Sequence, residues 1–537
     1  MPKGSRTPWS YFLIRLLFKF VLKIFYGTIV VEGIDHIPQD GRPCIVSANH
    51  TNSLTDALSV LLVSSIPSRK RGLLRLTAKA TQFGRRTLTS WLIESAGTVP
   101  IQRRRDYPDQ NVDNSVIMAK LIDALGEGDA VCLFPEGASR YHPTIAPLKT
   151  GVARIVSDTL TRHRDEPDFE VSILTCSVTY MHRQHFRSDV LVTFHPPFKF
   201  TPRNNPELVA PVDYNEIRAL TARLHRQIAS GTLDAPAWDL VRISKLSASI
   251  YAPLGTRMTL GDYVRVSRTF LEAFKSERLP PAPGSSGRDT DGSDSGPENE
   301  EIVQLKRDLR AYHAELARLK IKDDRIRRPL SRRIILYRLI LRLTWSLLLF
   351  SLSTPGLLLW LPVALTTFYA VHNFKKTGPV WDTWDEIAQY KLVYGLVSGL
   401  CVWFGAMLIT LPIAALTGVL VPVVMWMGLR WFEDAVSAFR AFVSLLRLLR
   451  VGPATLARLR DQRRDIYSRL VNLAVHGLGL PKDPETYFGE NGEAQKGRVT
   501  GRWVGGTTYF SVRRRRKRDW NETLRLYEQF DYQSDGS

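Results

Sequence analysis

His50 and Asp56, in the stretch VSANHTNSLTDALSV at 46–60, are side chains whose types suit proton transfer. Imidazole titrates near neutrality, and a carboxylate can hold one ring nitrogen while the other takes a proton. A helix advances about 100° per residue, so positions six apart lie roughly 240° apart and share no face. The two can meet only if His50 lies in a loop and Asp56 sits on a helix that turns back. Two further segments also put polar groups at the end of an apolar strand. GTVPIQRRRD (97–106) sets Arg103, Arg104 and Arg105 after a short strand, and VCLFPEGASRYHPTIAPLKTGVARI (131–155) runs a buried strand into Pro135-Glu136-Gly137 and reaches Lys149 before a helix. SILTCSVTYMHRQHFRSDVLVTF (172–194) opens with a second buried strand. Open α/β sheets build their ligand sites at such strand ends, and packing alone does not explain the cluster.

The elements that must position these groups follow from hydropathy. Residues 27–278 alternate strand-like runs (TIVVEG, CIVSA, AVCLF, SILTCSVTY, VLVTF) with helical stretches near 53–65, 110–126, 150–163 and 213–230, which predicts an α/β domain. Residues 279–300, PPAPGSSGRDTDGSDSGPENE and its borders, are nearly free of apolar residues and read as a disordered linker. In 301–326, Ile302, Leu305, Leu309, Tyr312, Leu316 and Leu319 form a heptad stripe under three heptads long, which predicts a helix docked on a neighbour. Two uncharged stretches, 343–371 and 392–429, lie within 327–430 and are long enough to enter a bilayer. The first could be one tilted pass or a re-entrant hairpin turning at Pro355-Gly356; because Arg and Lys crowd all three flanks, each stretch is expected to return to the side it entered, and two hairpins fit best. At the N-terminus, residues 1–26 carry Arg15, Lys19 and Lys23 in one stripe among Phe, Leu and Ile. This is the pattern of a helix lying in a membrane interface, and the cations break any signal-peptide core.

The chain has 537 residues and a net charge of +21, which favours an anionic partner. Basic residues sit beside apolar segments, including the basic 431–537 region, and no nucleic-acid-binding motif is present, so the expected anionic partner is membrane lipid rather than nucleic acid. Cys44, Cys132, Cys176 and Cys401 have neither metal nor redox spacing and are expected as buried small hydrophobes. No metal-ligand cluster is visible in the sequence.

Taken together, the motif segments resemble the glycerolipid acyltransferases, with His50 and Asp56 on the His–Asp block, Gly97 to Arg103 on the second block and Phe134-Pro135-Glu136-Gly137 on the third. NHTNSLTDAL, PEGASRYH followed by PLKTG, LRAYHAELARLKIKD and the late hydrophobic stretches are similar to the fungal type of endoplasmic-reticulum glycerol-3-phosphate/dihydroxyacetone-phosphate acyltransferases. The chain departs from the wider pattern in three ways. One more residue separates His50 from Asp56 than in most of the superfamily, Thr175-Cys176 stands where a proline is usual, and Arg140 stands where a histidine often follows the serine. The resemblance implies a mixed, mostly parallel sheet flanked by helices, with transmembrane helical hairpins after it. It also implies a membrane protein of the endoplasmic reticulum with a cytosolic catalytic domain and no cofactor beyond acyl-CoA as co-substrate.

On this reading His50 is the general base and Asp56 its partner, and no serine or cysteine nucleophile is needed because the thioester is already activated. Arg103 and Lys149 are candidates for the acceptor's phosphate, Arg by its fork and Lys as a point charge. Asn49, Gly97, Ile101, Phe134, Pro135, Glu136, Gly137 and Ser139 complete the expected substrate site, with Gly137 allowing close backbone approach. The acceptor is glycerol-3-phosphate or dihydroxyacetone phosphate. A lysophosphatidate acyltransferase and a non-catalytic lipid-binding membrane protein on the same fold stand as alternatives.

Overall fold

The computed structural model describes residues 4–26, 28–56, 71–84, 86, 88–102, 114–140, 142–182, 188–252, 258–276, 297–327, 331–377 and 386–490. Arg103 to Arg105, most of the 53–65 stretch, the linker up to residue 296 and everything after residue 490 lie outside the described residues. The chain divides into two compact units.

The first unit runs to Asp234 and includes 370–393. Its elements are α1 (Trp9–Phe25), β1 (Thr28–Glu32), β2 (Cys44–Ala48), β3 (Leu74–Arg75), β4 (Thr77–Lys79), α2 (Leu88–Ser95), β5 (Val99–Ile101), α3 (Ser115–Gly126), β6 (Ala130–Leu133), α4 (Gly151–Arg162), β7 (Val171–Tyr180), β8 (Asp189–Phe194), β9 (Phe198–Phe200) and α5 (Tyr214–Ala229). The main sheet has the order β1-β8-β7-β2-β6-β3, with β9 also on β7, and β4 pairs with β5 separately. Pairing is parallel except where β7 meets β8 and β9, so the sheet is mixed and mostly parallel.

β2, β6 and β7 are buried along their whole length, as continuous apolar runs require when both faces of a central strand are covered. Ile45, Val131, Ile173 and Leu133 pack beneath α3, α4 and α5 through Leu121, Leu125, Val152, Val156, Leu160 and Leu224. The hydroxyls on β7 alternate to one face, where Thr175 donates to Gln227, Ser177 to the Ile228 carbonyl and Thr179 to the Gly231 carbonyl. A polar stripe in a buried strand is thereby satisfied. α1 docks through Tyr11, whose hydroxyl accepts the Leu74 N–H at 2.9 Å, and through Ser10, which donates to the Ser95 carbonyl. Its outer face leaves Trp9, Phe12, Leu13, Leu16, Lys19 and Phe20 exposed.

The second unit starts at Ala235, so residues 235–278 of the expected 27–278 domain pack with it. Its elements are α6 (Trp238–Tyr251), α7 (Leu260–Ser276), α8 (Pro297–Leu319), α9 (Asp323–Arg327), α10 (Arg332–Lys376), α11 (Glu386–Ile409), α12 (Ala414–Arg450), α13 (Pro453–Asn472) and α14 (Pro484–Glu490). The ends of α10 and α11 that face each other belong to the first unit. α6 and α7 leave the catalytic unit because their apolar faces pack with α8 and α13. On α8 the stripe Ile302, Leu305, Leu309, Tyr312 and Leu316 is buried against those helices. The expected single helix 301–326 breaks after Leu319, where Lys320 takes a left-handed φ of 52°.

Among the described residues three helical stretches, α10, α11 and α12 with the turn before it (Leu411–Arg450), are long and apolar enough to cross a membrane. The first expected hairpin is absent. α10 is one helix of 45 residues that runs straight through Pro355 and Pro362. Gly356 explains why the chain does not turn there: it lies against Gly428 of α12, and an added Cβ would stand 2.7 Å from that residue's Cα. Small residues let apolar helices approach this closely, and Trp360 Nε1 donates to the Met425 carbonyl nearby. The second stretch does reverse, through a 3₁₀ turn at Leu411–Ile413 that contains Pro412. Cys44, Cys132 and Cys176 are buried, but Cys401 is exposed on the outside of α11, against the expectation for a small apolar residue in an apolar run.

Candidate active site

β2, β6 and β7 run parallel, in register from Cys44 opposite Ala130 and Ser172, so their C-terminal ends open at one edge of the sheet. Asn49-His50 leaves the end of β2, Phe134-Pro135-Glu136-Gly137 the end of β6, and Tyr180 closes β7. Adjacent strand ends thus bring together groups separated by more than eighty residues.

Ser53 makes the corner that the His–Asp spacing demands. Its φ is 47°, its carbonyl accepts the Asp56 N–H at 3.2 Å, and a helical turn begins at residue 54. The chain therefore reverses within six residues, and His50 Nδ1 reaches Asp56 Oδ2 at 3.0 Å. The same oxygen accepts the N–H groups of Thr51 (2.8 Å) and Asn52 (2.7 Å), and Oδ1 accepts the Tyr180 hydroxyl at 2.6 Å. Four donors converge on one carboxylate whose side chain is 0% exposed, whereas His50 is 19% exposed. Because Asp56 only accepts, the imidazole donates from Nδ1, leaving the Nε2 lone pair available as a base.

The imidazole stacks on Phe134, with ring centroids 4.3 Å apart. The His50 N–H donates to Glu136 Oε1 at 2.5 Å, and the His50 carbonyl accepts the Arg140 N–H at 3.3 Å. Glu136 Oε2 accepts the Ala146 N–H at 3.1 Å. Expected to line the acceptor pocket, Glu136 instead is buried and uses both oxygens to tie two loops together. Burial pushes its carboxyl above the ordinary value, opposed by those two N–H bonds. Asn49 is engaged in the same way. It donates from Nδ2 to the Val178 carbonyl (3.0 Å) and accepts the Val178 N–H at Oδ1 (2.7 Å), so its buried amide extends the pairing of β2 with β7.

Lys149 lies across Gly137, where an added Cβ would come within 2.4 Å of Nζ. Gly137 also has φ 79°, so glycine is needed there twice over. The Lys149 N–H donates to the Pro135 carbonyl at 2.8 Å, which fixes the lysine to the loop beside His50. Pro135 is buried and Ser139 half-buried in the same loop. Gly97 forms a left-handed turn (φ 71°) before β5, and Ile101 ends β5 opposite Lys79 of β4. Arg103 lies outside the described residues.

Sequence reasoning missed Tyr180, Tyr26, Asn52 and Gln389. Tyr26, just past α1, accepts a bond from Asn52 Nδ2 at 3.3 Å and stands 6.1 Å from the Tyr180 ring. Burial, reinforced by the nearby Asp56 charge, raises both phenols well above their ordinary value, so they stay protonated. Burial likewise raises the Cys132 and Cys176 thiols. Among the described residues, no cluster of three His, Cys, Asp or Glu side chains could hold a metal ion.

Two family models match the chain: an acyltransferase domain over residues 28–179 and a glycerol-3-phosphate acyltransferase 2 C-terminal domain over residues 292–378. An uncharacterized acyltransferase of Schizosaccharomyces pombe is 24% identical over 405 residues, covering 70% of this chain and 56% of its own. Glycerol-3-phosphate O-acyltransferases 2 and 1 of Saccharomyces cerevisiae are 23% and 22% identical, covering 54% and 70% of this chain and 37% and 49% of theirs. The chain spans about half the length of the curated relatives it matches. The crystal structure of the 1-acyl-sn-glycerophosphate acyltransferase PlsC from Thermotoga maritima matches 41% of this chain and 78% of its own, at 18% identity and a TM-score of 0.29. The chain thus matches an acyltransferase domain and a glycerol-3-phosphate acyltransferase C-terminal domain, and is similar at modest identity to yeast glycerol-3-phosphate O-acyltransferases.

Proposed function

We propose that the protein is an acyl-CoA-dependent O-acyltransferase of the endoplasmic reticulum membrane that esterifies the sn-1 hydroxyl of glycerol-3-phosphate or dihydroxyacetone phosphate. What carries this reading is a partly exposed imidazole held by a sealed carboxylate, with Lys149 across Gly137 of the loop whose Phe134 stacks on that imidazole. His50 Nε2 takes the proton of the acceptor hydroxyl as its oxygen attacks the thioester carbon. The imidazolium so formed is stabilised by Asp56. The tetrahedral intermediate then expels CoA as its C–S bond breaks, and the proton passes from His50 to the thiolate. Lys149, with Arg103, holds the phosphate. The names of the yeast relatives support glycerol-3-phosphate as acceptor.

General-base assistance is worth about 10²–10⁴-fold. His50→Ala should therefore abolish turnover while leaving expression and membrane association unchanged, and Asp56→Asn should fail through loss of the imidazolium's partner. The assay is purified protein with labelled acyl-CoA and, separately, glycerol-3-phosphate, dihydroxyacetone phosphate and lysophosphatidate. Turnover on lysophosphatidate alone would move the assignment to the sn-2 hydroxyl, and wild-type rates in either variant would remove the His–Asp mechanism.

A further inference from the structure

Residues 370–377 and 386–393 fold with the first unit although they stand far along the chain. Ile387 and Ala388, in the first turn of α11, are each 1% exposed, and Lys79 faces Glu386 at 3.8 Å. In the same turn, Gln389 Oε1 accepts a hydrogen bond from Ser53 Oγ at 2.9 Å. Ser53 is the left-handed corner of the catalytic loop, three residues after His50 and three before Asp56. A non-glycine residue seldom holds that conformation without support from its surroundings. The corner residue also accepts the Asp56 N–H through its carbonyl, so whatever fixes Ser53 fixes the carboxylate that orients His50.

We infer that Gln389 is a positioning residue for the His50–Asp56 pair, acting through the Ser53 hydroxyl. Gln389 holds the far side of the corner, while Tyr26 holds the neighbouring Asn52. α11 continues from this turn into one of the three apolar helices, so a single element serves both the catalytic loop and membrane association. The inference rests on the proposal that His50 is the base.

The test uses the full chain in lipid vesicles and measures kcat together with KM for acyl-CoA and for the acceptor. Ser53→Ala keeps the backbone demand and removes only the hydroxyl; Gln389→Ala removes only the acceptor. Each should lower kcat about three- to tenfold, the range of one neutral hydrogen bond. Both KM values should stay within about twofold, because neither side chain binds substrate. The double variant should be no slower than the slower single one, since both lose the same bond. Gln389→Glu, which keeps an acceptor oxygen, should return kcat to within about twofold of wild type. Wild-type kcat in Gln389→Ala, or a double variant whose loss is the product of the two, overturns the inference. If Gln389→Ala does not fold, a Gln389→Glu variant as slow as Ser53→Ala overturns it equally. Turnover in His50→Ala would overturn the base assignment itself, whereas an inactive His50→Ala beside a fully active Gln389→Ala overturns only the positioning role.

Discussion

At the scale of the residue, the site is built by spending polar groups on one another and leaving two chemically useful edges, His50 Nε2 and the Lys149 ammonium. A charge-assisted contact is worth about 1.5–3 kcal/mol. Lys149→Ala should therefore raise KM for the phosphorylated acceptor by roughly ten- to a hundredfold with little change in KM for acyl-CoA. Steady-state kinetics with each substrate varied would check this, and a rise confined to acyl-CoA would place the lysine at the donor instead. Glu136 supports a pH prediction. Burial raises its carboxyl in the folded protein, so the folded state binds that proton more tightly than the unfolded chain does. Its contribution to stability is then complete below the ordinary carboxylate value and is lost as pH rises through the raised one. Glu136→Gln abolishes the titration. The unfolding temperature of wild type relative to this variant should therefore fall as pH rises above the ordinary carboxylate range. A difference that does not change with pH would show that Glu136 does not titrate above that range. The meeting of His50 with Asp56 and the place of Gly137 and Lys149 after a buried strand were legible in the sequence because strand ends mark them, whereas Phe134 came only from the resemblance. Tyr180 and Gln389 were not, since each meets the loop across more than a hundred residues and no local pattern announces such a contact.

At the scale of the element, the strands were readable because burial on both faces demands unbroken apolar runs, and β1, β2, β6, β7 and β8 lie where those runs predict. The hairpin expected at Pro355-Gly356 failed for an equally physical reason. Proline and glycine break a helix in water, but in an apolar environment they persist when a neighbouring helix packs on them, as Gly428 does here. The motif LRAYHAELARLKIKD has a packing explanation. Tyr312 donates to Asp323 Oδ1 at 2.8 Å, Arg463 of α13 bonds both oxygens of Asp323 at 2.8 and 3.0 Å, and Glu315 pairs with Arg458. The Arg463 side chain is 10% exposed, so Asp323→Ala would strand a nearly buried cation, a loss of about 3–5 kcal/mol. The variant should unfold at a clearly lower temperature and release α13 to proteolysis. Wild-type resistance would mean that α8 and α13 are held by their apolar stripe alone.

At the scale of the whole molecule, the ion pairs of the second unit constrain how the chain meets the bilayer. Asp323 and Glu315 precede α10, while Arg458 and Arg463 follow α12, yet they are in direct contact. An odd number of crossings between residues 327 and 453 would put these partners on opposite faces. Among the described residues three helices are apolar enough to cross; α11 and α12 reverse at their turn and together count evenly, so an even total requires that α10 not cross completely. The turn joining α11 to α12 fits a segment that need not emerge, because Ile409, Leu411 and Ile413 are exposed there and 392–429 contains no charged residue. Every flank is cationic instead, with Arg332, Arg333 and Arg338 before the first apolar run, Lys375, Lys376 and Lys391 between the runs, and Arg430, Arg440 and Arg447 after the second. If cations of this density mark the cytosolic face, the flanks before α10 and after α12 lie there together. Protease sites inserted at residues 290 and 500 should therefore both be cut from outside sealed microsomes, and a glycosylation acceptor inserted at residue 411 should remain unmodified if the turn stays within the bilayer. Protection of one protease site and cleavage of the other would require an odd count, and the contact between α9 and α13 could not then exist in the membrane.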